Sequence, residues 1–531
     1  MFAIPRGRFD FFFIKYETFH FLGLLENKAK IMKSSVVLTL DIGTTSSKLV
    51  LIDKLGHKLF SDKASYPLYF PSPGHVEQDP WEIWRKICEM LARLFSEAGQ
   101  TYCIEAVAIS SQISAHFLVA ADGEPLTRVI SWMDSRASQE AKELVETFSR
   151  TELHDELGMD MLVGPAFIAP KLKWLARHEP AQLSRAHHLV QLKEYVIWQL
   201  TGVWRSDLTS LKGIVNQRTQ VLSAKLLKWA GVSAQIIPPH DNPWAVAGTL
   251  TPAAAANLNL PEGIPVILGW NDLNAAIMGT IGIPRTCCGF DITGTSEHIG
   301  IVSSESLNAA PEGINCLPFV DDVSLSYGVT SSGGQALQWY MENIAVSKNY
   351  VDIERHVNRV PAGAEKLIFL PYINGERNPW WNPNAQGVFF GMRAHHNKDH
   401  MTRAVLEGVG FALKASAVRL ETLPEQFVVS GGASALDIWN QIKADILGVP
   451  FCKLNTTEAG CLGVAILAAY ALGWYDSLAT ASENMIRTAK VFMPNEANHA
   501  MYNRKFEIYL SLYDALRDVF DANIHQLEEA E

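Results

Sequence analysis

Two carboxylates and two small-residue turns are the groups in this chain best suited to chemistry on a phosphate. Asp41 lies in the stretch LDIGTTSSKLVLI (40–52), followed by Gly43, Thr44 and Thr45, and FDITGTSEHIGIV (290–302) repeats the design with Gly294, Thr295 and Ser296 in its turn. Small residues let backbone N–H groups converge on an anion with no side chain in the way. Two such turns can hold a polyphosphate from both sides. Asp41 ends an apolar run, where it could hold a magnesium ion, a hard cation that prefers oxygen ligands; the plainer alternative is a carboxylate that caps the turn. Asp272, in GWNDLNAA, follows the apolar run 265–268, and catalytic groups collect at the carboxyl ends of strands. There it would accept a proton from a substrate hydroxyl attacking phosphorus, or cap the next helix.

Three further segments bring glycine to places a nucleotide could approach: SSGGQALQW around Gly333, SGGASALDIW around Gly431 and EAGCLG around Gly460. Any one of them could simply turn the chain. No GxxxxGK[ST] motif occurs and no GxGxxG follows a strand, which sets aside the commonest phosphate and dinucleotide loops.

The elements that must position these groups alternate. After the first hairpin, Asp79, Pro80 and Glu82 form a helix start of cap, first-turn proline and capping-box partner, and that helix is expected to run to about residue 98. Strands are expected at 104–109 and 265–268, with the amphipathic PKLKWLARH between them. The second half repeats the order: hairpin, a helix after Gly333, strand 366–370, a loop, helix 400–420, strand 427–430, and further helices ending in 498–522. This is α/β architecture. A chain of 531 residues exceeds a single core, so two domains are expected, 34–283 and 284–531. Residues 1–33, aromatic-rich but interrupted by Asp, Lys and Glu, are expected to be an extension outside the fold, because Met32 is a natural beginning for the first strand.

Composition narrows the partners. A net charge of −11 argues against nucleic acid or an anionic membrane as the main partner, and no apolar run reaches the length of a bilayer span. Seven cysteines, without a disulfide framework or a CxxC pattern, fit a reducing cytoplasm. His395, His396 and His400 lack a companion carboxylate in sequence and are expected on a surface helix. The loop PYINGERNPWWNPNAQGVFFGMRAHH sets charged and aromatic residues between glycines, which suits a functional loop or an interdomain clamp.

The ordered set LDIGTTSSK, GHVEQDPWEIW, ISSQ with WMDSRA, GWNDLNAA, GTS, SSGGQALQW, LPYINGERNPWWNPNAQGVFFG with RAVLEGVGFAL, and SGGASALDIWNQIKADILG resembles the FGGY carbohydrate kinases, over about 36–472. It is most similar to the xylulokinase and gluconokinase branches. The resemblance implies two actin-like, ribonuclease H-like ATPase domains flanking a central cleft, with sugar on the N-terminal side and MgATP mainly on the C-terminal side. It implies ATP and Mg2+ as cofactors, Asp41 as the metal position and Asp272 as the catalytic base. It implies nucleotide contacts at Gly43, Thr44, Thr45, Gly294, Thr295, Ser296, Gly334, Gln338, Gly432, Ala433 and Asp437, and a substrate set of Gln112, Ser114, Asp272 and Leu273.

Two departures bear on the sugar. Gln112-Ile113-Ser114-Ala115 stands where xylulokinase-like members carry Gln-Met-His-Gly, with His116 two residues on, and Leu273 stands where a polar residue usually follows the catalytic Asp. A buried hydroxyl without a partner costs about 1–3 kcal/mol, so the preferred sugar is expected to differ from D-xylulose. The expected activity is ATP-dependent phosphorylation of a hydroxyl on a small ketose, polyol or aldonate. The alternatives are a non-catalytic sugar sensor on the same scaffold and an actin-like ATPase without an acceptor. The sequence leaves the assembly open, a homodimer included.

Overall fold

The computed structural model describes residues 34–97, 101–284, 287–303, 311–320, 322–345 and 349–528. The extension expected at 1–33 lies outside the described residues.

Apolar runs that are buried on both faces make the central strands of two sheets. In the first half, β1 (Ser34–Ile42) turns into β2 (Ser46–Asp53) and β3 (Lys58–Ser65). Helix α1 (Pro80–Glu97) starts where Asp79 Oδ1 accepts the N–H groups of Trp81 and Glu82, and it buries Ile83, Ile87, Met90, Leu91 and Leu94 along one face. Then come β4 (Tyr102–Ser111), β5 (Val246–Thr249), β6 (Pro265–Asn271) and α2 (Asp272–Ile281). The sheet order is β5-β6-β4-β1-β2-β3, with β1 antiparallel to β2 and parallel to β4.

The second half repeats that logic. It contains β7 (Cys288–Thr293), β8 (Glu297–Ser303), β9 (Asn315–Val320), β10 (Val323–Thr330), α3 (Gly333–Asn343), α4 (Lys398–Ala417), β11 (Phe427–Gly431), α5 (Asp437–Leu447), β12 (Phe451–Leu454), α6 (Ala459–Ala471), β13 (Thr488–Phe492) and α7 (Glu496–Glu528). Its sheet order is β9-β10-β8-β7-β11-β12-β13, and β7 is again antiparallel to its hairpin partner and parallel to the next strand, β11. The repeat visible in the sequence is therefore a repeat of topology, and each turn sits at the same end of its sheet. The strand expected at 366–370 is confined to Ile368–Leu370, because Ala364, Glu365 and Lys366 adopt φ of 45°, 48° and 78° and coil the chain left-handed before it extends.

The two halves interlock. Helix α6 is apolar nearly all round, and it packs on β1, β4 and β6 of the first sheet while crossing α2. The crossing is close enough to need glycine: a Cβ on Gly279 would stand 1.9 Å from the Ala459 carbonyl oxygen, and one on Gly463 would stand 1.8 Å from that of Ala275. Just beyond α6, Trp474 Nε1 donates to Glu105 (3.0 Å) and the Tyr475 hydroxyl to the Lys54 carbonyl (2.5 Å).

Candidate active site

Each turn closes on the N–H of its glycine, three residues ahead in the first and two in the second. Gly43 N donates to Ser46 O and Gly294 N to Ser296 O, each at 3.0 Å. In the first turn the carbonyl oxygens are taken: Gly43 O by the Tyr66 hydroxyl (2.6 Å), Thr44 O by Gln78 Nε2 (2.7 Å) and Thr45 O by Tyr66 N (3.0 Å). Trp132 Nε1 donates to Thr44 Oγ1 at 2.9 Å. The N–H groups of Thr44, Thr45, Thr295 and Ser296 have no acceptor among the described residues, an arrangement that an anion completes.

Helix α3 meets the second turn through Gly334 N to Gly294 O (2.9 Å) and Gln335 N to Thr295 O (3.1 Å). A Cβ on Gly334 would lie 2.4 Å from Gly294 O, so only glycine permits this approach. Gly294, Thr295, Gly334, Gln338, Gly432 and Ala433 line one cavity of about 340 Å³, together with Thr293, Met341, Glu342 and Tyr350. Asp437 is not on that lining. Its carboxylate is held by Lys453 and Lys490, both at 2.8 Å.

The repeated aspartates have different surroundings. Asp291, at the position in the second hairpin that Asp41 holds in the first, accepts from Lys443 Nζ at 2.7 Å, and the same buried ammonium contacts Glu297. Asp41 meets no such ammonium at hydrogen-bond distance: its Oδ1 is buried without a hydrogen-bond partner, as is Oδ1 of Asp291, and it does not cap its turn, so the Lys443 contact is what separates the two acids. Burial raises its pKa and Lys48 opposes that, while Lys48 itself is tied to Glu458 at 2.7 Å. A buried carboxylate oxygen with an open coordination position, beside free N–H donors, fits a divalent cation with its phosphate ligands; the donor set at Asp291 does not.

Asn271, not Asp272, caps α2, since its side chain accepts from Asn274 N at 3.0 Å. Asp272 takes the first helical position, with Oδ1 accepting from Leu273 N at 2.8 Å. Burial and the Asp41 charge push its pKa up to about 7, against the N–H groups of Leu273 and Ile113 and the Lys212 charge. Leu273 thus contributes its backbone, beside a partly buried apolar side chain.

The end of β4 leads into the loop of Gln112, Ser114 and His116. Gln112 N donates to Ile42 O (2.8 Å) and Gln112 Nε2 to Gln78 Oε1 (2.7 Å), so a relay Gln112–Gln78–Thr44 joins this loop to the first turn. Gln112 Oε1 is buried with no partner. Ser114 sits at φ 62°, held by Lys171 Nζ donating to its carbonyl at 2.6 Å. His116 is buried with both ring nitrogens unpartnered, and burial drives its pKa well below the usual range.

Several of these residues escaped the reading of the sequence. Lys48 could have been found, because counting across the hairpin pairs it with Asp41. Arg377 lies within the singled-out ERNP segment, whose Glu376 fixes the loop to β10 by accepting from Thr330 Oγ1 and Ser331 N, both at 2.7 Å. Gln78 and Trp132 lie in the quoted segments GHVEQDPWEIW and WMDSRA without having been given a role there, and nothing local marks Lys212. The histidines also have a carboxylate after all: Glu365, thirty residues upstream of His395, contacts His395 Nε2 (3.0 Å) and His400 Nε2 (3.6 Å) through its left-handed turn.

Residues 36–279 match the N-terminal domain of the FGGY family of carbohydrate kinases, and residues 291–472 match its C-terminal domain. A xylulose kinase of Bacillus subtilis is 29% identical over 495 residues, covering 91% of this chain and 97% of the relative. A gluconokinase of Bacillus licheniformis is 27% identical over 505 residues, covering 92% and 97%. The crystal structure of ligand-bound xylulose kinase from Lactobacillus acidophilus superposes with a TM-score of 0.83 at 28% identity, over 92% of this chain and 99% of that one. Among the described residues, no helix is long and apolar enough to cross a membrane.

Proposed function

The chain belongs to the FGGY family of carbohydrate kinases, and on that basis we propose that it transfers the γ-phosphoryl group of ATP to a hydroxyl of a small ketose, polyol or aldonate. The observation that carries this is the electrostatic coupling of two dissimilar carboxylates: Asp41, with an open buried oxygen, and Asp272, whose pKa that neighbour helps raise to about 7. Environments that differ in this way separate a metal-holding carboxylate from a base that exchanges protons near neutrality.

The free N–H groups of the Gly43–Thr45 and Gly294–Ser296 turns receive phosphate oxygens, and the cavity between Gly334, Gln338 and Gly432 receives the rest of the nucleotide. Asp41 would hold Mg2+, which supplies charge neutralisation on the phosphates. Gln112 Oε1 accepts from one acceptor hydroxyl. Asp272 orients the reacting hydroxyl and takes its proton as the oxygen attacks phosphorus, a task in which position matters more than basicity. Incubation with γ-labelled ATP and a sugar panel tests this. Labelled sugar phosphate is the expected product; labelled free phosphate alone, or no turnover with sugar bound, refutes it.

A further inference from the structure

The histidines that follow the ERNP loop gather round a carboxylate from another turn. Glu365 Oε2 lies 3.0 Å from His395 Nε2 and 3.6 Å from His400 Nε2. One ligand atom from each of Glu365, His395 and His396 falls within 4.8 Å of the other two. Ring centroids are 4.3 Å apart for His395 and His396 and 5.2 Å apart for His396 and His400. Glu365 and His395 are about half exposed while His400 is nearly enclosed, so an ion from solution can reach the group.

Glu365 is delivered by backbone that the fold has to enforce. Ala364, Glu365 and Lys366 form a left-handed run, which L-residues adopt only when their surroundings over-determine it. Lys505 Nζ spans the turn, donating to Gly363 O and to Leu367 O at 2.8 Å each, and Gly363 N donates to Glu407 Oε1 at 2.8 Å. Glu407 and His400 both belong to α4. One helix thus holds the turn that carries the carboxylate and one of the rings that faces it. The rings are oriented as well. His400 Nδ1 lies 2.9 Å from Asn397 Oδ1 and 3.3 Å from Asn397 N, which leaves Nε2 to face Glu365. Metal-bound imidazoles are set in this manner, by a hydrogen bond on the nitrogen that does not ligate. His396 Nδ1 accepts from Arg393 N at 3.0 Å and its Nε2 lies 3.3 Å from Glu365 O, so His396 gives up one of these contacts to join a metal.

The spacing is that of a coordination shell. Bonds of about 2.0–2.1 Å in a tetrahedron put neighbouring ligand atoms about 3.3–3.4 Å apart, and the two contacts of Glu365 Oε2, at 3.0 and 3.6 Å, bracket that separation. Imidazoles with a single carboxylate suit late first-row ions, whereas Mg2+ demands oxygen ligands. The cluster therefore suits a different ion from the one Asp41 would hold. We infer that Glu365, His395 and His400, joined by His396, form a site for a divalent late first-row transition ion of the Zn2+ class. Its occupant clamps His395 and His396 onto the first turn of α4 and onto the left-handed turn of Glu365. Neither the family match nor the phosphoryl-transfer reading assigns these residues, and the inference stands without either.

The test is equilibrium dialysis of the chelator-treated full chain against Zn2+ and Co2+, in excess Mg2+, for wild type, Glu365→Gln, His395→Gln and His400→Gln. Wild type is expected to hold one ion that each variant binds at least about tenfold more weakly. Zn2+ should raise the melting temperature of wild type and leave that of the variants unmoved, while the metal-free melting temperatures agree because Glu365 and His395 are half exposed. Equal uptake by wild type and variants places the metal elsewhere and overturns the inference, as does a wild type that takes up none. A variant that fails to fold does not stall the test, because the electron paramagnetic resonance spectrum of wild type loaded with one equivalent of Cu2+ decides independently. Splitting by coordinated imidazole nitrogen is expected there, and a spectrum of oxygen ligands alone overturns the inference. None of these outcomes bears on the kinase reading.

Discussion

Replacing Asp272 by Asn should make the protein inactive and more stable, and the stability gain should grow with pH. The Asp272 carboxyl has a pKa of about 7 in the fold against an ordinary 3.8, chiefly because burial disfavours its charge and secondarily because Asp41 repels it. Below about pH 4 it is protonated in both folded and unfolded chains and costs nothing. As pH rises from 4 to 7 the unfolded chain releases this proton while the folded one retains it, so stability falls; above 7 the full cost is present. At about 1.4 kcal/mol per pH unit the ceiling is about 4 kcal/mol, of which about 2–3 kcal/mol accrues between pH 5 and pH 8. Water in the cleft reduces this, because Asp272 is partly open. The assay is urea unfolding of ligand-free wild type and Asp272→Asn at pH 5, 6, 7 and 8, with phosphoryl transfer followed in parallel. Turnover should fall by about 10²–10⁴-fold. A stability difference that stays flat across this range, or a variant with near-normal turnover, would refute the assignment of Asp272 as a desolvated base.

Lys443→Met should cost about 3–5 kcal/mol, because it leaves the buried Asp291 and Glu297 facing each other without a cation; urea midpoints at pH 8 and pH 5 should show a smaller loss in acid, where Asp291, whose pKa burial raises, takes up a proton, and equal losses would contradict that cause. Gly463→Ala should lower the melting temperature, since its Cβ would meet the Ala275 carbonyl oxygen at 1.8 Å and force α2 and α6 apart, at about 1–3 kcal/mol; an unchanged melting curve would mean the crossing is looser than described. Gln78→Leu cuts the relay from Gln112 to Thr44 and should raise KM for both ATP and acceptor by about tenfold. An effect on one substrate alone would show that the two sides are not joined through Gln78.

Much of this architecture is legible in the sequence where a physical requirement is local. The hairpins declare themselves because apolar alternation and small turn residues recur around Asp41 and Asp291, and α1 because Asp79 caps its first turn and Pro80 opens it, while the capping-box partner expected at Glu82 instead accepts from the Tyr69 hydroxyl. What was not legible depends on partners distant in the chain. From sequence, Asp41 and Asp291 are alike; Lys443, about 150 positions away, is what gives one a buried cation at hydrogen-bond distance and leaves the other without. Asp272 could have been a cap until its neighbour Asn271 took that role. Lys212 reads as any surface lysine, since only the fold buries it and brings its charge to bear on Asp272. Glu365 joins the histidines through three consecutive left-handed residues, none of them glycine, which no turn rule anticipates.

The passage of α6 across the first sheet bears on how the polypeptide is made. Roughly 180 residues separate the end of α2 from the start of α6, which at about 5–20 residues per second is a delay of about 10–40 s on the ribosome. Through that interval an apolar face of the early-synthesised half waits for its cover. A gene cut after residue 284 would yield a sticky fragment, and supplying 459–486 as a separate peptide is the remedy the topology dictates.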